Sequence, residues 1–252
     1  MKKIRLIARI DIKGPNLIKS INLEGLRILG DPEIFAKEYY QNGIDEIVFM
    51  DSVASLYGRN QLDEIIKNIT SEIFIPITVG GGIRSLADFS NILRSGADKI
   101  AINSAAVQNP LLISQASSEF GSQSVVSSIE AKKKTSSSWE IFINNGRDST
   151  GIDAVYWAKK CEELGAGELF VTSVDREGTR KGFDVELMQA ISSKVNLPVI
   201  ASGGMGKIED LGDLLTNTNV DGVAVADVLH YKRLTVEELR FGCVSNGRVI
   251  RN

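Results

Sequence analysis

The chain has 252 residues, 43% hydrophobic and 24% charged, with a formal net charge of −3. That profile belongs to a folded globular protein and excludes a disordered one. The mild negative charge argues against a general nucleic-acid binder, which carries a basic field, and no apolar run is long enough to cross a bilayer.

The opening MKKIRLIARID is basic at its start but has no long apolar region and no cleavage site, so it reads as a first strand rather than a signal peptide. Short, continuously apolar runs then recur at Ile4–Ile10, Ile47–Met50, Ile75–Val79, Ile100–Ile102, Val125–Ile129, Leu169–Val171, Val199–Ala201 and Val223–Val225. Runs of this kind predict buried parallel strands. Helical periodicity fills most intervals, at Pro32–Asn42, Leu62–Ile69, Leu86–Ser95, Pro110–Phe120, Ala154–Leu164, Val185–Ser193 and Ile208–Leu215. Eight βα units in a chain of this length predict an α/β protein, a closed (β/α)8 TIM barrel. No Pro/Ser-rich linker divides it, so 1–252 is read as one barrel. Lys132–Ser138 (KKKTSSS) predicts a surface excursion after strand five, with no nucleic-acid role. Cys161 and Cys243 form neither a metal spacing nor a disulfide framework. Reduced thiols, a packing role for Cys161 and a cytoplasmic location are expected, with no cofactor and no metal.

The sequence repeats itself. Pro76, Gly81, Gly82 and Asp88 match Pro198, Gly203, Gly204 and Asp210 at an offset of 122, and GIDE at 43–46 matches GAGE at 165–168. Asp11 in RIDIK matches Glu130 in SIEAK at an offset of 119. Two copies, roughly 1–120 and 121–252, closing into one barrel is the economical reading.

In such a barrel the functional face lies at the C-terminal ends of the strands. Gly80-Gly81-Gly82 and Gly203-Gly204 sit there, where bare backbone N–H groups and a helix N-terminus suit a phosphate. Asn103 and Ser104 end strand four beside the first loop. The plain alternative is that the glycines only permit tight turns. Where the repeat places Ser104 in the first half, it places Asp227 in the second. A carboxylate there repels a phosphate. Either Asp227 turns away, or that site takes no phosphate; it also suits sugar hydroxyls or an amine.

Asp11 ends strand one and Glu130 ends strand five, on opposite sides of an eight-stranded barrel. One protonated and one ionised carboxyl would supply a general acid and a general base; the alternative is a pair of solvated rim charges. Lys19, in the first βα loop, either closes over a phosphate or is a surface lysine. His230, the only histidine, follows Asp227 and is either an acid/base or phosphate contact or a structural residue. Arg5, Glu46, Lys99 and Glu168 begin strands one, two, four and six. Two charges of each sign at the barrel floor either form a closed ring that gates a passage or stand as solvated rim charges.

The sequence resembles the cyclase subunit of imidazole-glycerol-phosphate synthase over almost its full length. The resemblance rests on Asp11 in RIDIK, GDP at 30–32, GIDE at 43–46, VGGGI at 79–83, GADK at 96–99, INSAA at 102–106, FGSQ at 120–123, TSVDREGT at 172–179 and ASGG at 201–204. It implies a half-barrel duplication and a glutaminase subunit docked on the barrel floor, near Asp45 and Asp98. It also implies ammonia passing a gate matching Arg5, Glu46, Lys99 and Glu168. At the top, ammonia would react with a ribulosyl-linked aminoimidazole carboxamide ribotide, giving imidazole glycerol phosphate and aminoimidazole carboxamide ribotide.

By the same resemblance Asp11 and residue 130 are the acid/base pair, and Gly81, Gly82, Asn103 and Ser104 hold one phosphate. Gly178, Thr179, Ser202, Gly203 and Gly204 lie near the other, and Thr172 and Asp175 line the mouth. Two departures touch the substrate. Members that make imidazole glycerol phosphate have aspartate at 130, where this chain has glutamate, and serine at 227, where it has aspartate. Three functions follow as expectations: a histidine-type ammonia-using synthase subunit, the same barrel delivering ammonia to an acetamido nucleotide sugar, or a non-catalytic scaffold that activates a glutaminase.

Overall fold

Strand and helix alternate along most of the chain. The computed structural model describes residues 3–52 and 60–250. The first part runs β1 (Lys3–Lys13), β2 (Asn16–Ile21), β3 (Glu24–Gly30), α1 (Pro32–Gln41), β4 (Glu46–Asp51), α2 (Asn60–Thr70), β5 (Ile77–Gly80) and α3 (Leu86–Arg94). The middle runs β6 (Lys99–Ile102), α4 (Ser104–Gln108), α5 (Leu111–Phe120), β7 (Val125–Thr135), β8 (Ser138–Ile143), β9 (Asp148–Asp153) and α6 (Ala154–Glu163). The last part runs β10 (Glu168–Ser173), α7 (Val185–Ser192), β11 (Val199–Ser202), α8 (Ile208–Asn217), β12 (Gly222–Val225), α9 (Asp227–His230), α10 (Val236–Ser245) and β13 (Val249–Ile250).

Eight of these strands pair in parallel around a closed circuit, β1-β4-β5-β6-β7-β10-β11-β12 and back to β1. This is the predicted (β/α)8 barrel. In that circuit β7 lies four strands from β1 in either direction, so the two are opposed. Among the described residues no helix is long and apolar enough to cross a membrane.

Side chains of a strand alternate between faces, and β1 uses both. Ile4, Leu6, Ala8 and Ile10 belong to the large core between the strands and the helices. Ile7 belongs to a separate core inside the barrel, with Val48, Ala101, Val126, Phe170, Ile200 and Ala224. Arg5, Arg9 and Asp11 share the parity of Ile7, so one strand carries a charge below this apolar layer and two above it. The same parity puts Glu46, Lys99 and Glu168 below the layer.

The strands are anchored at their N-terminal ends by a recurring contact. Asp45, Asp98 and Asp221 accept hydrogen bonds from the Leu6, Ile77 and Val199 N–H groups at 2.8, 2.8 and 3.1 Å. Helix starts are fixed in a similar way. Asp88 accepts from the Arg84 and Ser85 N–H groups, and Asp210 from those of Gly206 and Lys207.

Lys132–Ser138 lies at the surface after the fifth barrel strand, with 133–137 exposed. Lys132–Thr135 continue β7, and Ser138 opens β8, which pairs back on β7 from Glu130↔Phe142 to Thr135↔Ser138. The segment is the tip of a β-hairpin whose returning strand, β8, buries Trp139 and Ile141 on one face. A second hairpin, β2–β3, follows β1 in the same way.

Candidate active site

The C-terminal mouth of the barrel contains two spaces of very different size. A cavity of about 410 Å³ is lined by Arg9, Gly81, Gly82, Asn103, Ser104 and Glu130, among others. A second, of about 20 Å³, is lined by Lys19, Gly178, Ser202, Gly203, Gly204 and Asp227, with Glu177 and neighbouring backbone. The structure thus brings most of the expected mouth residues together, divided between these two spaces. Asp11, Thr172, Asp175 and Thr179 line neither. Thr172 is buried under Arg9, exposed Asp175 accepts a hydrogen bond from the Lys133 N–H at 2.7 Å, and the Thr179 hydroxyl donates to the Arg176 carbonyl at 2.7 Å.

The first glycine loop is shaped by a close approach. Gly81 has φ of +105°, and a Cβ there would lie 2.4 Å from the Asp51 carbonyl oxygen. Only glycine combines that backbone conformation with that contact. Beside it, the Asn103 amide donates to the Phe142 carbonyl at 3.2 Å, and the Ser104 hydroxyl accepts from the Asn144 N–H at 2.9 Å. The β8–β9 hairpin therefore forms one wall of the larger cavity, a contribution that the sequence reading missed.

Glu130 is 6% exposed and accepts a hydrogen bond from the Gly146 N–H at 2.7 Å. Burial pushes its carboxyl up to about 7, against the opposing pull of Arg9 and of that hydrogen bond. It therefore holds a proton part of the time near neutrality. Asp11 is 2% exposed, and its Oδ1 lies 2.9 Å from Arg9 Nε, while Oδ2 has no hydrogen-bond partner among the described residues.

Arg9, buried and lining the larger cavity, is a candidate site residue absent from the sequence reading. Its guanidinium also donates to Thr172 Oγ1 at 3.0 Å and Ser202 Oγ at 3.2 Å, and approaches Glu177 Oε2 at 3.9 Å. It stacks over the Phe170 ring at 5.8 Å. Burial alone would lower its pKa, but Asp11 and Glu177 hold it firmly cationic. The signal was present in the parity of Arg5, Ile7, Arg9 and Asp11, hidden by treating the strand as one continuous apolar run.

Lys19 does not project over a phosphate as a free cation. It is 4% exposed and ion-paired with buried Glu177. Burial would raise Glu177, but Lys19 and then Arg9 pull it below the ordinary carboxylate range. His230 ends the one-turn helix α9. Its Nδ1 is 2.6 Å from the Tyr39 hydroxyl, and burial, reinforced by Lys19, pushes its pKa down to about 3. It packs as a neutral ring and does not titrate near neutrality.

At the floor the four expected charges meet. Arg5 pairs with Glu46 at 3.1 Å and with Glu168, while Lys99 pairs with Glu46 at 3.3 Å and with Glu168 at 3.0 Å. Each cation bridges both carboxylates, so the four form a closed ring below the apolar layer. Of the two carboxylates expected near a docking partner, Asp98 is exposed. Asp45 is buried and pairs with Arg240 at 3.0 Å.

A parallel barrel with a polar cavity at its C-terminal mouth and opposed buried carboxylates has the architecture of a (β/α)8-barrel enzyme. The chain belongs to the histidine biosynthesis protein family, whose model matches residues 5–235. Three relatives carry the name imidazole glycerol phosphate synthase subunit HisF. One from Legionella pneumophila is 60% identical over 210 residues, covering 83% of this chain and 99% of its own length. One from Lactococcus lactis subsp. cremoris (strain SK11) is 49% identical over 243 residues, 96% of this chain and 94% of its own. One from Prochlorococcus marinus (strain MIT 9515) is 43% identical over 253 residues, 100% of this chain and 98% of its own.

Proposed function

We propose that the protein is the ammonia-using cyclase subunit of a glutamine amidotransferase of the imidazole-glycerol-phosphate synthase type, acting in histidine biosynthesis. The observation that carries this reading is the ion-pair ring of Arg5, Glu46, Lys99 and Glu168 set on the same inward face as the carboxylates at the mouth. Four partly buried charges are an expensive way to close a barrel floor. They make sense as a gate. A glutaminase docked on the floor supplies ammonia, which passes the ring and crosses the apolar layer around Ile7, Val126 and Phe170. That layer favours neutral ammonia over ammonium, because burying a charge without a partner is costly.

At the mouth, the larger cavity holds the acceptor, with a phosphate against Gly81, Gly82, Asn103 and Ser104. Glu130 is the carboxyl that carries a proton near neutrality, and Asp11, ion-paired with Arg9, is its carboxylate counterpart. Ammonia forms a C–N bond with the ribulosyl carbonyl carbon, whose oxygen departs as water after Glu130 protonates it while Asp11 takes a proton from nitrogen. The new nitrogen then bonds to the formamidine carbon, and the bond from that carbon to the ribotide's amino nitrogen breaks, closing the imidazole and releasing that amine protonated. The products are imidazole glycerol phosphate, aminoimidazole carboxamide ribotide and water. A second reading, delivery of ammonia to an acetamido nucleotide sugar, is favoured by one observation: Asp227 stands at the second glycine loop.

The test supplies the barrel and its companion glutaminase with glutamine labelled at the amide nitrogen. Label in imidazole glycerol phosphate is the expected result; label in an amidinated sugar selects the second reading. Absence of label from every product, with glutamine consumed, overturns both. Release of aminoimidazole carboxamide ribotide by the barrel with ammonium salt alone rules out a scaffold without chemistry.

A further inference from the structure

The β8–β9 turn is built from residues in the left-handed region. Asn144, Asn145 and Gly146 have φ of 53°, 61° and 71°. It meets the β2–β3 turn, where Asn22 and Leu23 have φ of 53° and 64°. Leu23 is buried, and a bulky side chain rarely adopts that backbone. Residues in such conformations persist where their surroundings hold them, and they gather at active sites. The Asn145 amide joins the two turns by donating to the Leu23 carbonyl at 3.2 Å. A Cβ on Gly146 would lie 3.1 Å from Leu23 Cδ1, so the turns are in close contact.

The same turn reaches two residues of the mouth. The Asn144 N–H donates to Ser104 Oγ at 2.9 Å, and the buried Gly146 N–H to Glu130 Oε2 at 2.7 Å. Three successive residues thus donate to three separate parts of the fold. Ser104 and Glu130 line the larger cavity together with Asn144 and Asn145. Among the described residues the Ser104 hydroxyl makes no other hydrogen bond, so its proton is available to an anion in the cavity. Donating that proton makes the oxygen a stronger acceptor for Asn144.

We propose that the Asn144–Gly146 turn is a positioning element that holds the Glu130 carboxyl through the Gly146 N–H and ties it to Ser104, so that an anion on the Ser104 hydroxyl secures the proton carrier. This rests on the proposed function for the phosphate at the first glycine loop and for the role of Glu130. The charged groups that face Glu130 are Arg9 and Asp11 from β1 and Lys132 from its own strand. Burial raises the Glu130 pKa, and Arg9 and then the Gly146 N–H oppose it, so loss of that N–H raises it further.

The experiment uses the full-length protein labelled with nitrogen-15 and carbon-13. It follows the Glu130 carboxyl through pH and the hydrogen exchange of the Gly146 amide, in the wild type, Ser104→Ala and Asn145→Gly, with and without inorganic phosphate. Glycine at 145 keeps the left-handed backbone and removes the link to Leu23. In both variants without phosphate the Gly146 amide exchanges severalfold faster than in the wild type. The Glu130 midpoint rises by about 0.5 or more as that hydrogen bond is lost. Phosphate slows Gly146 exchange in the wild type and not in Ser104→Ala. Unchanged exchange and an unchanged midpoint in both variants overturn the proposal. A response in Asn145→Gly alone overturns the tie to Ser104. So does a wild-type Gly146 amide that is indifferent to phosphate while Gly82 saturates. If phosphate moves neither amide, the phosphate reading of the first loop falls, and the variants without phosphate still decide the hold on Glu130. Neither readout needs turnover, so this link stands or falls apart from the reaction.

Discussion

Arg9 Nε lies 2.9 Å from Asp11 Oδ1, two residues along the same inward face of β1, and both side chains are almost fully buried. The pair ties a carboxylate at the mouth to a guanidinium that also faces Glu177, Thr172 and Ser202. Arg9→Leu removes the cation and leaves Asp11 buried without its charge partner. The expected cost is about 3–5 kcal/mol of stability, measured by denaturant unfolding. Loss of less than about 1 kcal/mol would show that the network relaxes without it. The Glu130 carboxyl also loses a cation that holds its pKa down, so it titrates higher in this variant.

Glu130 itself makes stability depend on pH. Its folded pKa, about 7, is above the ordinary value of 4.5, so the folded state binds the proton more tightly than the unfolded one. Its contribution is therefore present at low pH and is lost as pH rises from about 4.5 to about 7. The full loss is about 3 kcal/mol. Unfolding of wild type and Glu130→Gln across that window should diverge with this sign, the variant being flatter. A wild-type curve parallel to that of the variant would contradict the buried, proton-holding carboxyl.

Breaking the floor ring should uncouple the two half-reactions. Lys99→Ala removes two of the four ion pairs, including that at 3.0 Å to Glu168. With the companion glutaminase, glutamine consumed per product formed should rise at least about twofold, a loss of well under 1 kcal/mol in coupling. Ammonium-driven turnover should fall less than glutamine-driven turnover. Stability should drop by between about 1 and about 3 kcal/mol, because the ring is only partly exposed. An unchanged stoichiometry would show that the ring is a structural plug.

Gly81→Ala meets both a backbone at φ of +105° and the Asp51 carbonyl oxygen at 2.4 Å. The combined strain and overlap should cost about 2–4 kcal/mol. The Gly82 response to phosphate should be lost with it, in a titration followed by amide shifts. Retained stability together with retained phosphate response would mean that the loop tolerates a wider turn.

The barrel is legible in the sequence because each of its strands is buried on both faces and reads as an apolar run, as Val199–Ala201 does. The hairpins are not, because β3 is largely solvent-facing and has no such run. Asp11 and Glu130 stand out as carboxylates closing apolar segments. The partnership of Lys19 with Glu177 has no local trace, since 158 residues separate them and only barrel closure brings them together. Asp227 is visible through the internal match to Ser104, but Arg180 and Arg233, which pair with it, are not, because neither sits at a position that the repeat marks. Asp45 has a structural role that the sequence does not show. An acidic residue at the floor invites a partner, yet its carboxylate is occupied inside the fold by the Leu6 N–H and Arg240.

Strand β1 is gripped at both ends, by β13 through Lys3↔Val249 and Ile4↔Ile250, and by β2 through Asp11↔Ile18. Its register against β4 runs from Ile7↔Glu46 to Ile12↔Asp51. Slippage by one residue would turn Ile4, Leu6, Ala8 and Ile10 into the lumen and drive Arg5, Arg9 and Asp11 against the helices. The floor ring and the mouth carboxylates would be lost in one event, and the two register pairs to β13 add to those with β12 and β4 that oppose it.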